Sequence, residues 1–188
     1  MNPAPRSIAH RFTEAFNARD VERVVDLFTP DATYHDLFYG AWTGHAGLRE
    51  LFARMYAEGS RHEWTMTAVA VAPRYTLGEW DFALTVSDAV SSGAGRTLRF
   101  TGVSVFETRD RRCHTYREHF DRAAVLLGVG ISPAAVARIV RRRPSVRVAL
   151  PDSGALPGSG APPDSGVLPD SAVLPGPGVL RGSGTLSW

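Results

Sequence analysis

Four acidic residues stand in apolar, aromatic stretches of this chain: Asp36 in ATYHD, Asp81 in GEWDF, and Glu118 and Asp121 in YREHFD. A carboxyl group enclosed beside aromatic rings is pushed toward neutrality, because burial disfavours its charged form. Such a group can abstract a proton next to a carbonyl near neutral pH, a contribution of about 10²–10⁴-fold. Several carboxylates in one enclosure drive their pKa values apart, which yields one acid and one base. Strand alternation decides which of them can meet. Tyr34 and Asp36 share a face opposite His35, and Glu79 and Asp81 share a face opposite Trp80. Phe100, Gly102, Ser104 and Phe106 oppose Thr101, Val103 and Val105. Tyr116, Glu118 and Phe120 oppose Arg117, His119 and Asp121.

Each candidate also has a plain structural reading. Asp36 could bond the local backbone, and Asp81 and Glu118 could sit on a solvated sheet face or a dimer contact. Asp121 directly precedes a helical run and could N-cap it. His119 is a good acid–base type, but alternation places it with Asp121 rather than Glu118. Phe12, Phe38, Trp42, Tyr116 and Phe120 read as lining or core. His35 and His45 lie near Asp36, yet no three ligands share a metal-like spacing. Cys113, the single cysteine, has no His/Asp partner pattern. No Gly-rich phosphate loop is present, and no cofactor is expected.

The elements that must position these residues follow from periodicity. Ile8, Phe12, Ala15 and Phe16 predict a first helix, and Asp20 N-caps a second carrying Val21, Val24, Val25, Leu27 and Phe28. Pro30-Asp31 ends it, and Ala32–Asp36 reads as a short strand. Gly40 and Gly44 bound a loop holding Trp42. A third helix covers about Ala46–Glu58, followed by strands Glu63–Val71, Tyr75–Ser87, Arg96–Glu107 and Cys113–Phe120. Arg109-Asp110-Arg111 makes the last hairpin turn. A closing helix covers Arg122–Leu127, and another starts after Ser132-Pro133. Helices followed by an antiparallel meander make an α+β order, with helices on one face of a curved sheet.

The chain has 188 residues, is 44% hydrophobic and carries a formal charge of +2, so no strong nucleic-acid field is implied. All 21 basic residues are Arg, as in GC-rich bacterial coding sequences. One cysteine allows no internal disulfide, and a reducing, cytoplasmic setting is expected. No stretch approaches the roughly 20 apolar residues of a membrane span. From Ala149 the sequence repeats every six residues (ALPDSG, ALPGSG, APPDSG, VLPDSA, VLPGPG, VLRGSG, then TLSW), rich in Gly and Pro. One Val-Leu pair per repeat cannot offset the entropy of ordering it, so residues 144–188 are expected to be a disordered tail and 1–143 the domain. Arg138, Arg141, Arg142, Arg143 and Arg147 form a basic run between them, read as a solvated helix end, with an acidic partner or nucleic acid as the alternative.

The element order, with the stretches FTEAFNARDVERVVDLFTPDATYHD, GHAGLRELF, GEWDFALT, FTGVSVFE and YREHFDRAAVLLGVG, resembles the NTF2-like superfamily and its SnoaL-like domains over about residues 8–130. The resemblance implies a cone-shaped barrel with a pocket between the concave sheet face and the helices, often in a dimer. It implies a small apolar molecule as ligand. The superfamily holds isomerases, epoxide-hydrolase-like enzymes, polyketide cyclases, dehydratases and non-catalytic binding domains, so fold alone does not give function. Asp36 falls where the ketosteroid isomerases carry their catalytic carboxylate, while their two oxyanion donors fall at Phe12 and Gly102, which cannot donate from a side chain. Against the epoxide-hydrolase-like pattern, Tyr34 and Asp81 match, whereas Asp36, Glu79 and Glu118 replace an Asn, an Arg and an Asp. The acid/base carboxylate of SnoaL-like cyclases falls at Asp121. The implied site is therefore Asp36, Asp81, Glu118 and Asp121, lined by Tyr34, Phe12, Phe38, Trp42, Tyr116, His119 and Phe120. Either of Glu118 and Asp121 could face the pocket. A homodimer is expected through an outer sheet face carrying Trp80, Val103 and Val105.

Overall fold

A computed structural model describes residues 6–142. The expected tail, its repeats, and Arg143 and Arg147 lie outside the described residues. The chain divides into two compact units at Ser132/Pro133. The first holds α1 (Ile8–Asn17), α2 (Val21–Val25), β1 (Phe28–Asp36), β2 (Gly40–Thr43), α3 (Gly44–Glu58), β3 (Gly59–Val71), β4 (Tyr75–Val86), β5 (Thr97–Arg109), β6 (Arg112–His119) and α4 (Arg122–Val129). The second begins with α5 (Pro133–Arg142), whose last turn carries Arg141 and Arg142. No helix among the described residues is long and apolar enough to cross a membrane.

The helices start where their caps place them. The Ser7 hydroxyl accepts from His10 N–H at the head of α1. Asp20 accepts from Arg23 N–H at 3.0 Å and opens α2, as its side chain and position predict. Between them Arg19 takes a left-handed backbone (φ 57°). Its guanidinium donates to Tyr56 O at 2.7 Å and Gly59 O at 3.1 Å, carbonyls left open at the end of α3.

Two predicted boundaries shift. Phe28 is not helical: α2 stops at Val25, and Phe28 pairs with Cys113 as the first residue of β1. The register of β1 slips between Phe28 and Thr33, which accommodates Pro30, a residue with no N–H for a ladder. Trp42 lies on strand β2, opposite Tyr34, and not in a loop.

The six strands run in the order β2-β1-β6-β5-β4-β3. All neighbours are antiparallel except β1 and β6, which run side by side in the same direction. The sheet is therefore mixed; it curves but does not close. The core between helices and concave face is aromatic. Phe12, fully buried, packs on the rings of Phe16, Phe28, Tyr34, Phe52 and Tyr116. Trp64, Trp80 and Phe82 continue that layer across β3 and β4.

Strand β4 corrects two expectations at once. Thr76, Gly78, Trp80 and Phe82 are its buried set, and Glu79 and Asp81 are exposed. Trp80 is 1% exposed, so it cannot belong to an outer dimer face, and Asp81 points away from the concave side. The cause is apolar area: leaving an indole and a phenyl ring in water costs more than leaving two carboxylates there. Gly102 makes the indole fit. A Cβ there would lie 2.4 Å from Trp80 Cζ2 and 2.6 Å from His119 O.

Candidate active site

The parallel pairing of β1 with β6 sets Tyr34 beside Tyr116, and the strands end on Asp36 and His119. Alternation then puts Tyr34, Asp36, Tyr116 and Glu118 on the concave side, all buried. The rings of Tyr34 and Tyr116 stack with centroids 4.1 Å apart. Asp36 and Glu118 are each 6% exposed, and close enough for the charge on one to perturb the other.

Each carboxyl is held differently. Asp36 Oδ1 accepts from Phe38 N–H at 2.6 Å and Tyr39 N–H at 2.7 Å, in the turn that leads to β2. Gly40 follows at φ 89°, a conformation that suits glycine and closes that turn. The backbone reading of Asp36 therefore holds alongside its place in the site. Glu118 Oε2 accepts from the Tyr116 hydroxyl at 3.2 Å, and Oε1 lies 3.5 Å from Leu37 N. Burial pushes the Glu118 carboxyl well above the usual carboxylate range, and the negative charge of Asp36 pushes it further. The bonds from Leu37 and Tyr116 pull the other way without cancelling that rise. Glu118 is thus biased toward its neutral form beside a second carboxyl group.

A side-chain chain leads into Glu118 from across the sheet. Trp80 Nε1 donates to Ser104 Oγ at 2.9 Å, and Ser104 Oγ lies 2.6 Å from the Tyr116 hydroxyl. Ser104 is fully buried on the same face of β5 as Phe100 and Phe106. Burial also raises both tyrosine hydroxyls well above their ordinary values. That of Tyr34 is buried with no hydrogen bond of ordinary geometry.

The rim is apolar. Half-buried Phe38 and Phe120 approach with ring centroids 5.2 Å apart, and Phe120 sits 5.2 Å from Phe100 and 6.0 Å from Trp80. Buried Arg122, the first residue of α4, donates to Leu37 O at 2.8 Å. On the other flank the Tyr39 hydroxyl donates to Glu58, which also pairs with Arg54 at 2.9 Å.

Of the residues named from sequence, Tyr34, Asp36, Tyr116 and Glu118 come together, with Phe38 and Phe120 above them. Phe12 lies in the core below, and half-buried Trp42 lies on β2. Asp121 is exposed and accepts from Ala124 N–H at 2.9 Å, so it N-caps α4 and Glu118 is the inward carboxylate. His119 is exposed on the opposite face from Glu118. The sequence reading missed Arg122, Tyr39 and the link from Trp80 to Ser104. Ser104 was on the correct face by alternation; only the placement of Trp80 hid its partner.

A hypothetical protein with a ketosteroid isomerase-like fold from Catenulispora acidiphila, in complex with trimethylamine, superposes with a TM-score of 0.60 at 20% identity, over 70% of this chain and 96% of that one. A putative polyketide cyclase from Xanthomonas campestris gives a TM-score of 0.56 at 16% identity, over 65% and 93%. An epoxide hydrolase of the LEH-like type from M. tuberculosis gives 0.54 at 20% identity, over 69% and 93%. At these identities the likeness is one of fold. No curated protein matches the chain in sequence. The SnoaL-like domain family matches residues 9–114, a span that contains Asp36 and stops before Glu118. With more than half of its length inside that match, the chain belongs to the SnoaL-like domain family.

Proposed function

We propose that this protein is a small-molecule enzyme that uses Asp36 and Glu118 for cofactor-free general acid–base chemistry on an apolar, oxygen-bearing substrate. The observation that carries the reading is the pair itself: two carboxyl groups buried in one site, one of them pushed toward its neutral form by burial and by the other's charge. Burying two carboxyl groups together does not stabilise a fold, whereas dissimilar carboxyls side by side are what proton transfer requires. In the simplest step Asp36 takes a proton from carbon next to a carbonyl. The Glu118 O–H donates a hydrogen bond to the oxygen that gains charge, and the proton then returns to carbon from Asp36.

The experiment is deuterium exchange at carbon next to the carbonyl in a panel of small apolar ketones, followed by NMR. The wild type should accelerate exchange of at least one ketone. Asp36→Asn should lose about 10²–10⁴-fold of that rate, and Glu118→Gln a smaller part. Equal rates for both variants and the wild type would end this reading.

A second reading, a non-catalytic ligand-binding or dimerising module, is favoured by the close aromatic filling of the concave side. A groove of about 100 Å³ lies instead on the outer face, among Arg61, Glu63, Ala83, Thr85, Thr97 and Arg99. We also propose a homodimer through the outer sheet face, where Tyr75, Leu77 and Val103 are exposed.

A further inference from the structure

The hydrogen bonds that reach Glu118 have a direction, and its two ends set it. An indole N–H can only donate. Trp80 therefore fixes Ser104 Oγ as an acceptor on one side. The Tyr116 hydroxyl has one proton and gives it to Glu118 Oε2 at 3.2 Å. In the 2.6 Å contact between Ser104 Oγ and the Tyr116 oxygen it is therefore Ser104 that donates. Three side chains from β4, β5 and β6 thus align their protons one way, and all are buried.

From this we infer that Trp80, Ser104 and Tyr116 are positioning residues that make Oε2 the carbonyl oxygen of Glu118 and leave Oε1 to carry its proton, aimed toward the Asp36 side. The same alignment defines what the site accepts: a ligand oxygen with a free lone pair, such as a carbonyl, epoxide or ether oxygen. A ligand offering only a donor would find the Oε1 proton pointing at it. The groups that face Glu118 are Asp36 and Tyr34 from β1 and Tyr116 from its own strand, with Arg122 of α4 at the rim on Leu37 O. Among them Tyr116 donates to Oε2 at 3.2 Å and Leu37 N–H to Oε1 at 3.5 Å, a bond that a hydroxyl oxygen accepts while still donating its own proton.

This inference rests on the acid–base reading of the pair, but its test needs no substrate, so the two can fail separately. The measurement is the infrared carbonyl stretch of the protonated Glu118 carboxyl. It is isolated as the difference between the full-length wild type and Glu118→Gln, at the lowest pH at which both stay folded. Accepting a hydrogen bond at the carbonyl oxygen lowers that frequency. Tyr116→Phe should therefore shift the band upward. Ser104→Ala should shift it part of the way, and Ser104→Thr should return it to the wild-type position, which a loss of packing alone would not do. A band indifferent to both Tyr116→Phe and Ser104→Ala would overturn the inference, as would the absence of any Glu118 carbonyl band at that pH. Should Tyr116→Phe fail to fold, the Ala and Thr variants of Ser104 carry the test by themselves.

Discussion

Glu118 shows how a single side chain can set the pH behaviour of a fold. Its carboxyl is raised in the folded protein relative to the unfolded chain. The folded state therefore holds a proton that the unfolded state releases as pH rises above the ordinary value of 4.5. Stability from this group is complete below that value and declines as pH climbs toward the folded-state ionisation. Urea unfolding from pH 5 to pH 8 should show the wild type losing stability relative to Glu118→Gln, with the gap widening toward high pH. A constant gap would contradict the placement of Glu118. His62 works in the opposite sense. Burial and the Arg19 charge lower its pKa to about 4, so its contribution is present above 6.5 and lost as pH falls toward 4. His62→Gln should flatten the acid side of the stability profile and leave the alkaline side unchanged.

The carboxylates outside the site supply the contrast. Asp121→Ala should cost about 1 kcal/mol through the lost cap of α4. Asp81→Asn should change neither stability nor ketone exchange, because the side chain stands in water on the outer face. Alternation made half of this legible from sequence, since it grouped Tyr34 with Asp36 and Tyr116 with Glu118. It could not choose a face for β4. The family resemblance favoured Asp81, and the apolar area of Trp80 and Phe82 decided otherwise. The deciding signal was present: Thr76, Gly78, Trp80 and Phe82 form the more apolar of the two alternating sets.

At the scale of elements, the segments with strong periodicity and capping residues were readable: α1, α2 behind Asp20, α3 and the four later strands. What sequence hid was the start of β1, because Pro30 looks like a terminator when the slip that accommodates it is not visible. The junction of α1, α3 and β3 is tied in part by a residue that carried no signal. Arg19 reaches from a left-handed turn to the carbonyls of Tyr56 and Gly59, and its guanidinium lies 4.9 Å from the centroid of the Tyr56 ring. Arg19→Ala should destabilise the protein by about 1–3 kcal/mol in urea unfolding, since buried carbonyls lose charged donors. Arg19→Gly should be milder than Ala, because glycine adopts φ 57° without strain.

For the whole molecule, the exposed apolar residues of the outer face carry the proposal of a dimer. Light scattering at micromolar concentration should report twice the 20.4 kDa chain mass. Leu77→Glu with Val103→Glu should reduce that to the monomer while the pH profile set by Glu118 persists. A wild type that scatters as a monomer would remove the dimer and leave the candidate site standing.

The parallel pairing of β1 with β6 has a consequence in time. Asp36 is made early in synthesis and Glu118 more than eighty residues later, yet β1 and β6 must lie side by side before either carboxyl has its surroundings. Pairing across so long a stretch of chain is slow, because loop closure precedes any reward from contact. The nascent chain would therefore carry β1 with an unclaimed edge until β6 leaves the ribosome. The site should mature only after β6 has emerged, and should be absent from any product truncated before residue 112.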